Sequence, residues 1–354
     1  MNKYANSKIQ AMNAYFPPIE NRRKFANDGG VLCDFNEGIQ DEDIAKEILK
    51  EISNKDISIY PEYTNGLLEQ ISAYCNVNKD QVMLTNGSDQ GIDLIFRTFT
   101  NKGDKVIIPS PSFAMFYQYA QIAENKMIKP AYGKDGTFPL KEVLKEIDEK
   151  TKLVVICNPN NPTGTLISLE DIEMILKKAL KFNSIVYIDE AYYEFSKLTA
   201  VGLIKKYPNL IITRTFSKAF ALAGLRIGYV LGQKDLLIEM RKIISPYDVN
   251  MVAVIAAKIS LNSLQKIQKI VDEIIKARKL LEDFFEKQNI FYWPSKANFI
   301  LFKPTDSKKV FEELEKRGIR IRQREGVNIE DTLRISVGNS SEIEKIIQIL
   351  KKIL

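Results

Sequence analysis

Residues 185–231, IVYIDEAYYEFSKLTAVGLIKKYPNLIITRTFSKAFALAGLRIGYVL, contain the pattern that decides the fold. Three apolar runs lie in this stretch, at Ile185–Asp189, Leu210–Arg214 and Ile227–Leu231, with polar and amphipathic segments between them. The runs are nearly continuous in Val and Ile, which is typical of strands that are covered on both faces. We therefore predict three buried strands of one sheet.

The same alternation extends toward the N-terminus. Further strands are predicted at Val82–Thr85, Lys105–Pro109 and Leu153–Cys157. Helices are predicted at 89–100, 139–149, 168–182 and 234–244. Alternating strands and helices imply a mostly parallel sheet flanked by helices, which is an α/β fold. We assign this large domain to residues 46–245.

The pattern changes after Pro246, where long helices are predicted over 250–289. Short strands at Asn298–Lys303, Ile319–Gln323 and Leu333–Val337 and helices at 307–317 and 341–354 follow. This pattern predicts a smaller α+β domain over 246–354. Residues 1–45 are polar and irregular, so we expect them to form an N-terminal arm and part of the small domain.

The composition excludes several classes of function. The 354 residues include no histidine, which rules out Ser-His-Asp and Cys-His triads and His-ligated zinc, so other groups or a cofactor must move any protons. The net charge of +6 is spread over 51 basic and 45 acidic residues, and we expect no nucleic-acid partner. No run reaches about 18 apolar residues, so no membrane span is expected. Three cysteines without CxxC spacing fit the cytoplasm.

Two charged residues follow predicted strands and are candidates for chemistry. Lys218, in Thr215-Phe216-Ser217-Lys218, comes just after one strand and is followed by Arg226. A lysine in this setting suits a Schiff base beside a phosphate, although a surface lysine would also fit. Asp189 ends another strand, where ligands bind in parallel sheets, and a buried carboxylate there needs a cationic partner. An ordinary capping or salt-bridged aspartate is the alternative.

Two polar turns are further candidates. The run NPNNPTG at 158–164 combines prolines, which fix the backbone, with amides that can contact a ligand. Asn86-Gly87-Ser88-Asp89 precedes a predicted helix, where free N–H groups and the helix dipole attract anions. A tight turn and a helix cap are the simpler explanations for these two segments.

The motifs NPNNPTG, DEAYYEF and TFSKAFALAGLRIGY, in this order and spacing, resemble the pyridoxal-phosphate (PLP) aminotransferases of fold type I. The closest likeness is to the histidinol-phosphate type, and it extends from Tyr60 to Gly338. The resemblance implies PLP as cofactor, covalently linked to Lys218 through a Schiff base, with Asp189 beside its ring nitrogen. Asn161 and Tyr192 would bind its ring hydroxyl, and Phe113 would stack on its ring.

The resemblance also assigns residues to anions and to a partner subunit. Ser88, Asp89, Ser217 and Arg226 match the family's phosphate site. Tyr60 matches a tyrosine that reaches the cofactor phosphate of the neighbouring subunit, which implies a homodimer. For the substrate, Arg334 matches the arginine that binds a carboxylate, Arg322 matches a second anion-binding arginine, and Tyr15 matches a substrate-contacting tyrosine of the arm.

This set predicts a ping-pong transfer of an amino group between L-glutamate, or a similar donor, and a phosphorylated carbonyl compound. Departures from the family pattern leave alternatives open. Asn36-Glu37-Gly38-Ile39 lacks the family's proline, and Phe113 stands where tyrosine is more usual. A PLP-dependent decarboxylase of a phosphorylated amino acid, of the threonine-phosphate type, is one alternative, and a transaminase of another phosphorylated ketone is a second. A protein that keeps the fold without catalysis is a third.

Overall fold

The structure is a computed structural model that describes residues 4–13, 17–63 and 66–354. The described residues form helices α1 Ser7–Gln10, α2 Arg22–Asn27, α3 Glu42–Glu51, α4 Asn54–Ser58, α5 Leu67–Cys75, α6 Gly87–Phe99, α7 Ala114–Ile122, α8 Leu140–Glu146, α9 Leu169–Lys181, α10 Tyr193–Ser196, α11 Lys234–Arg241, α12 Met251–Asn262, α13 Leu264–Lys287, α14 Ser307–Lys316 and α15 Ser340–Ile353. The strands are β1 Val31–Leu32, β2 Val82–Thr85, β3 Lys105–Ile107, β4 Lys126–Ile128, β5 Thr151–Cys157, β6 Ile185–Asp189, β7 Leu210–Thr215, β8 Gly228–Gly232, β9 Phe291–Trp293, β10 Phe299–Lys303, β11 Ile319–Arg320, β12 Arg322–Arg324 and β13 Thr332–Ser336.

A seven-stranded sheet in the order β2-β8-β7-β6-β5-β3-β4 forms the centre of the molecule. Strand β8 runs antiparallel to both of its neighbours, and the other pairs are parallel. The predicted α/β fold with a mostly parallel sheet is therefore confirmed. The pattern missed β4, a three-residue edge strand that is only partly buried, and β3 ends before Pro109, which has no N–H to donate to a neighbouring strand.

Side chains alternate between two apolar layers on the faces of this sheet. Val155, Tyr187 and Ile211 pack with α6, α7 and α11 on one face. Val154 and Ile188 point to the other face, where α9 and α12 contribute to the main core. Burial on both faces explains why these strands are apolar at nearly every position.

The C-terminal part contains a four-stranded antiparallel sheet in the order β12-β13-β10-β9. The prediction of one strand over 319–323 is wrong, because the chain forms two strands there that belong to different sheets. β11 pairs in parallel with β1, whereas β12 pairs with β13. The segment before residue 45, predicted to be irregular, contains α1, α2 and β1, so part of it is built onto the C-terminal sheet region. The domain boundaries at residues 45 and 245 stay a prediction.

Within the described residues, we find no helix that is both long enough and apolar enough to cross a membrane.

A buried ion pair links Glu190, the residue after β6, to Arg214 on β7, on the face opposite Asp189. Arg214 Nε and Nη2 donate to Glu190 Oε2 at 3.0 and 2.9 Å, and the two side chains are 2% and 1% exposed. Glu190 also accepts from the backbone N–H of Ala200 at 2.7 Å and from the Thr199 hydroxyl. The guanidinium lies 3.6 Å from the centre of the Tyr193 ring. Both charges are therefore satisfied in the core.

Replacing Arg214 by Met should lower the free energy of unfolding in urea by about 3–5 kcal/mol, because Glu190 would remain buried without its cation. The double variant Glu190→Gln/Arg214→Met should recover part of this loss. Arg97→Met is the matched control, since Arg97 forms an exposed pair with Asp93 and its loss should change little. An Arg214→Met variant as stable as the wild type would contradict the conclusion that Arg214 offsets the buried charge of Glu190.

Candidate active site

The carboxyl ends of the central strands face a pocket of about 650 Å³. The pocket brings together eleven of the thirteen residues that the sequence indicated. These are Ser88, Asp89, Phe113, Asn161, Asp189, Tyr192, Ser217, Lys218, Arg226, Arg322 and Arg334. Tyr60 does not line it, and Tyr15 lies outside the described residues. The large sheet and the C-terminal sheet both contribute walls, so the pocket lies between them.

Lys218 projects into this pocket from the turn that follows β7. Its Nζ donates to the backbone carbonyl of Phe35 at 2.9 Å. Burial lowers the pKa of Lys218 to about 8, and the positive charge of Arg334 acts in the same direction. The amine therefore loses its proton closer to neutral pH than an exposed lysine does, as a general base or nucleophile requires.

The chain around residue 38 approaches Lys218 closely. A Cβ atom added to Gly38 would lie 1.9 Å from the Lys218 carbonyl oxygen, which is closer than atoms can pack. The segment from Asp34 to Gly38 therefore passes directly over the lysine. Residues 36–39 were compared with a family motif, but neither this motif nor the irregular pattern of the arm predicted that Phe35 would contact the lysine.

Asp189 ends β6 and is 4% exposed. The hydroxyl of Thr213 donates to its Oδ1 at 3.0 Å. Burial raises the pKa of Asp189 to about 7, and no lysine or arginine of the described part of the chain forms an ion pair with it. A buried carboxyl group in this state would be stabilised as an anion by a cationic ligand, and the protonated ring nitrogen of PLP is such a cation. A buried carboxyl group without an ion-pair partner is therefore what a cationic cofactor such as PLP requires at this position.

A polar network on the other side of the pocket contains Tyr192. The side-chain amides of Asn36 and Asn161 donate to its hydroxyl at 3.0 and 3.4 Å. Arg334 donates to Asn161 Oδ1 and to the Asp34 carbonyl, each at 2.7 Å. Burial raises the pKa of Tyr192 to about 12, so the phenol stays protonated and can donate to an oxygen of a ligand. Asn36 was not predicted as a site residue.

The residues predicted to bind a phosphate lie at the N-terminus of α6, where backbone N–H groups lack helical partners and can donate to an anion. Arg226 donates to Asp89 Oδ2 at 3.0 Å and to the Ser217 hydroxyl at 3.4 Å. Gly87 has a φ of +69°, and a Cβ there would lie 2.5 Å from Arg226 Nη2. The absence of a side chain at Gly87 thus provides the space that the Arg226 guanidinium occupies. Thr215, which donates to Ser217 Oγ at 3.0 Å, is a supporting residue that the sequence did not single out.

Arginines and an aromatic ring line the mouth of the pocket. The guanidinium groups of Arg22 and Arg322 lie 4.2 and 5.1 Å from the centre of the Phe35 ring. Arg22 also pairs with Asp34 at 2.7 Å and with Glu37 at 2.6 Å. Arg22, Phe35 and Glu37 lie in the N-terminal segment, and none of them was predicted as a site residue, although Glu37 belongs to the segment compared with a family motif.

Of the two remaining predicted residues, Phe113 lines the pocket and Tyr60 does not. Phe113 caps the N-terminus of α7 and meets Phe116 edge to face, with ring centres 5.6 Å apart, so packing holds its ring in place. Tyr60 is 72% exposed and stacks on Tyr247, with ring centres 4.3 Å apart. Within one chain Tyr60 therefore contributes nothing to the pocket.

These groups can bind an anion, stabilise a positive charge at Asp189 and move a proton at Lys218. Comparisons with known proteins agree with this chemistry. The model of the family "Aminotransferase class I and II" matches residues 29–350. A histidinol-phosphate aminotransferase of Thermoanaerobacter pseudethanolicus is 39% identical over 318 residues, which is 88% of this chain and 89% of the relative.

Solved structures give the same result. The histidinol-phosphate aminotransferase of Clostridium acetobutylicum superposes with a TM-score of 0.82 at 27% identity, over 91% of this chain and 98% of that one. The enzyme of Sinorhizobium meliloti, solved in complex with pyridoxal-5'-phosphate, has a TM-score of 0.85 at 20% identity over 99% of both chains. This chain therefore belongs to the class I and II aminotransferase family and is a PLP-dependent enzyme of fold type I.

Proposed function

We propose that this enzyme transfers an amino group between L-glutamate and a phosphorylated carbonyl compound, as the histidinol-phosphate type does. The observation that carries the proposal is the presence of two arginines, Arg322 and Arg334, in the pocket of Lys218. A guanidinium binds carboxylate and phosphate equally well through its planar fork. The relatives reported above are named for this reaction.

In the proposed reaction, Lys218 moves the proton. Bound PLP supplies an electron sink for the electron pair left at the substrate Cα. Lys218 Nζ would take the Cα proton from the donor and deliver it to the cofactor carbon that receives the amino group, and it would move a proton in the opposite direction in the second half of the cycle. Its pKa of about 8 suits both directions, because the amine can carry or release the proton near neutral pH.

Other side chains orient the two ligands. Asp189 holds the ring nitrogen in its cationic form, and Tyr192 and Asn161 bind the ring oxygen. The cofactor phosphate binds at the start of α6 with Ser88, Asp89, Ser217 and Arg226. Arg334 binds the substrate carboxylate, and Arg322 the substrate phosphate. These roles are proposals supported by the pocket geometry.

We also propose that the enzyme is a homodimer. Ile57, Ile59, Tyr60 and Tyr247 are large apolar side chains that are more than half exposed on one chain. A homodimer would bury such residues. We propose that Tyr60 reaches the cofactor phosphate of the neighbouring subunit, as the family resemblance implies. We also propose a cytoplasmic location, which the three free, buried cysteines fit.

Lys218→Ala should abolish amino transfer, with a loss of at least about a thousandfold, because no other group takes over proton transfer at Cα. The measurement is 2-oxoglutarate released from L-glutamate without acceptor, followed together with the absorbance of the bound cofactor. Lys181→Ala, at an exposed position, should behave as the wild type. Release of carbon dioxide from phosphothreonine, without 2-oxoglutarate from glutamate, would instead favour the decarboxylase alternative.

The raised pKa of Asp189 should make the stability of the cofactor-free enzyme depend on pH. Burial raises its pKa from 3.8 to about 7, so the native state keeps a proton that the unfolded chain releases in this range. This contribution to stability is complete below about pH 4 and is lost as the pH rises to about 7, by roughly 2–4 kcal/mol. Asp189→Asn lacks the titration, so its stability relative to the wild type should rise over the same range.

The control for this prediction is Asp235→Asn, an exposed site, whose profile should parallel that of the wild type. Bound PLP should stabilise the wild type more than Asp189→Asn, because the ring nitrogen provides the missing cation. Equal profiles for wild type and Asp189→Asn would show that Asp189 does not titrate in this way.

Mixing two inactive variants tests the shared site. In a hybrid dimer of Lys218→Ala and Tyr60→Ala subunits, one of the two sites has an intact Lys218 and receives Tyr60 from the other chain. Random reassortment should restore roughly a quarter of the wild-type activity. Sedimentation velocity would establish that a dimer is present. A dimer in which mixing restores nothing would contradict the role of Tyr60.

A further inference from the structure

A second cavity, of about 550 Å³, lies between α10, the end of α5 and the first turns of α13. It shares no lining residue with the active site. Its lining includes Tyr74, Tyr193, Glu194, Lys197, Phe220 and Lys269. The reaction proposed above uses none of these residues, although α10 follows directly after Tyr192.

The most buried charged group of this cavity is Glu194, which is 6% exposed. The Tyr74 hydroxyl donates to its Oε1 at 3.3 Å. Across the described ranges, no lysine or arginine forms an ion pair with it, and the adjacent Arg214 is paired with Glu190 at 2.9 Å. Burial raises the pKa of Glu194 to about 7. A cation bound in the cavity would offset the cost of burying this carboxylate.

The walls around Glu194 are aromatic and aliphatic. Tyr74 and Phe220 meet edge to face, with ring centres 6.0 Å apart, and Tyr193 lies beside them. Ile267 and Val271 add apolar surface from α13. Aromatic faces attract ammonium groups, and apolar walls bind a hydrocarbon side chain.

Two lysines, Lys197 and Lys269, also line the cavity and are exposed to solvent. Their charge is opposite to that of Glu194. A simple amine would meet repulsion from these lysines, whereas a molecule that also carries a carboxylate would be attracted to them. The cavity thus combines a buried anion, an apolar wall and a cationic rim.

We propose that this second cavity binds a free α-amino acid with an apolar or aromatic side chain. Its ammonium group contacts Glu194, its carboxylate faces Lys197 and Lys269, and its side chain packs on the three aromatic rings. The volume lies within the range of small-molecule sites. The inference does not depend on which substrates the active site uses.

Equilibrium dialysis of the holoenzyme tests the proposal, with labelled L-leucine, L-methionine, L-phenylalanine and L-tyrosine as probes at about 1 mM. The cofactor is first fixed to Lys218 by borohydride reduction, so that no probe can react as a donor. We expect saturable binding of one probe molecule per chain. Phenethylamine lacks the carboxylate and N-acetyl-L-phenylalanine lacks the ammonium charge, so both should bind more weakly than L-phenylalanine.

Two variants separate this cavity from the active site. Glu194→Gln keeps the size of the side chain and should weaken binding at least about tenfold, as expected for loss of a charge-assisted contact. Its rate of amino transfer should match the wild type, and its melting temperature near neutral pH should be at least as high, because the buried charge of Glu194 is removed. Arg334→Met, in the active-site pocket, should leave probe binding intact. Failure of all four probes to bind, or binding that is lost in Arg334→Met and kept in Glu194→Gln, would overturn the proposal.

Discussion

The protein keeps one carboxylate buried at the end of β6 without a cation among the described residues. Asp189 is 4% exposed, and burial raises its pKa to about 7. A core built only for stability would pair or remove such a group. The neighbouring carboxylate, Glu190, is paired in this way with Arg214, at 2.9 Å. Under the proposed function, the cationic nitrogen of PLP would complete the pairing of Asp189, and cofactor binding would then be linked to the electrostatics of the core.

Strand geometry explains how two adjacent carboxylates meet such different environments. Successive side chains of a strand point to opposite faces, so Asp189 lies on the same face as Tyr187 and Thr213, and Glu190 faces Arg214. Both interactions hold the end of β6 against β7: Thr213 donates to Asp189, and Arg214 pairs with Glu190, the residue after β6. Lys218 follows β7 by only three residues. The ion pair on one face therefore helps to position Asp189 and Lys218, the two groups that we propose to serve the cofactor.

Much of this arrangement could be predicted from the sequence, because it depends on local patterns. The apolar runs of β5, β6 and β7 are nearly continuous, and the motifs that follow them contain Asn161, Asp189 and Lys218. The carboxyl ends of parallel strands meet at one edge, so these residues converge. Local patterns could not predict that residues of the N-terminal segment would line the pocket. Phe35 and Asn36 reach the pocket because β1 pairs with β11, nearly 300 residues later, and no local periodicity encodes such a contact.

The same long-range contacts connect the C-terminal sheet to the cofactor side of the pocket. Arg334 on β13 donates both to Asn161, which follows β5, and to the carbonyl of Asp34. Lys218 donates to the carbonyl of the next residue, Phe35. A substrate carboxylate at Arg334 would compete for a guanidinium that is already engaged by these groups. Under the proposed function, a substrate carboxylate would bind the same guanidinium that holds Asn161 and Asp34, which would couple substrate recognition to the segment that lies over Lys218.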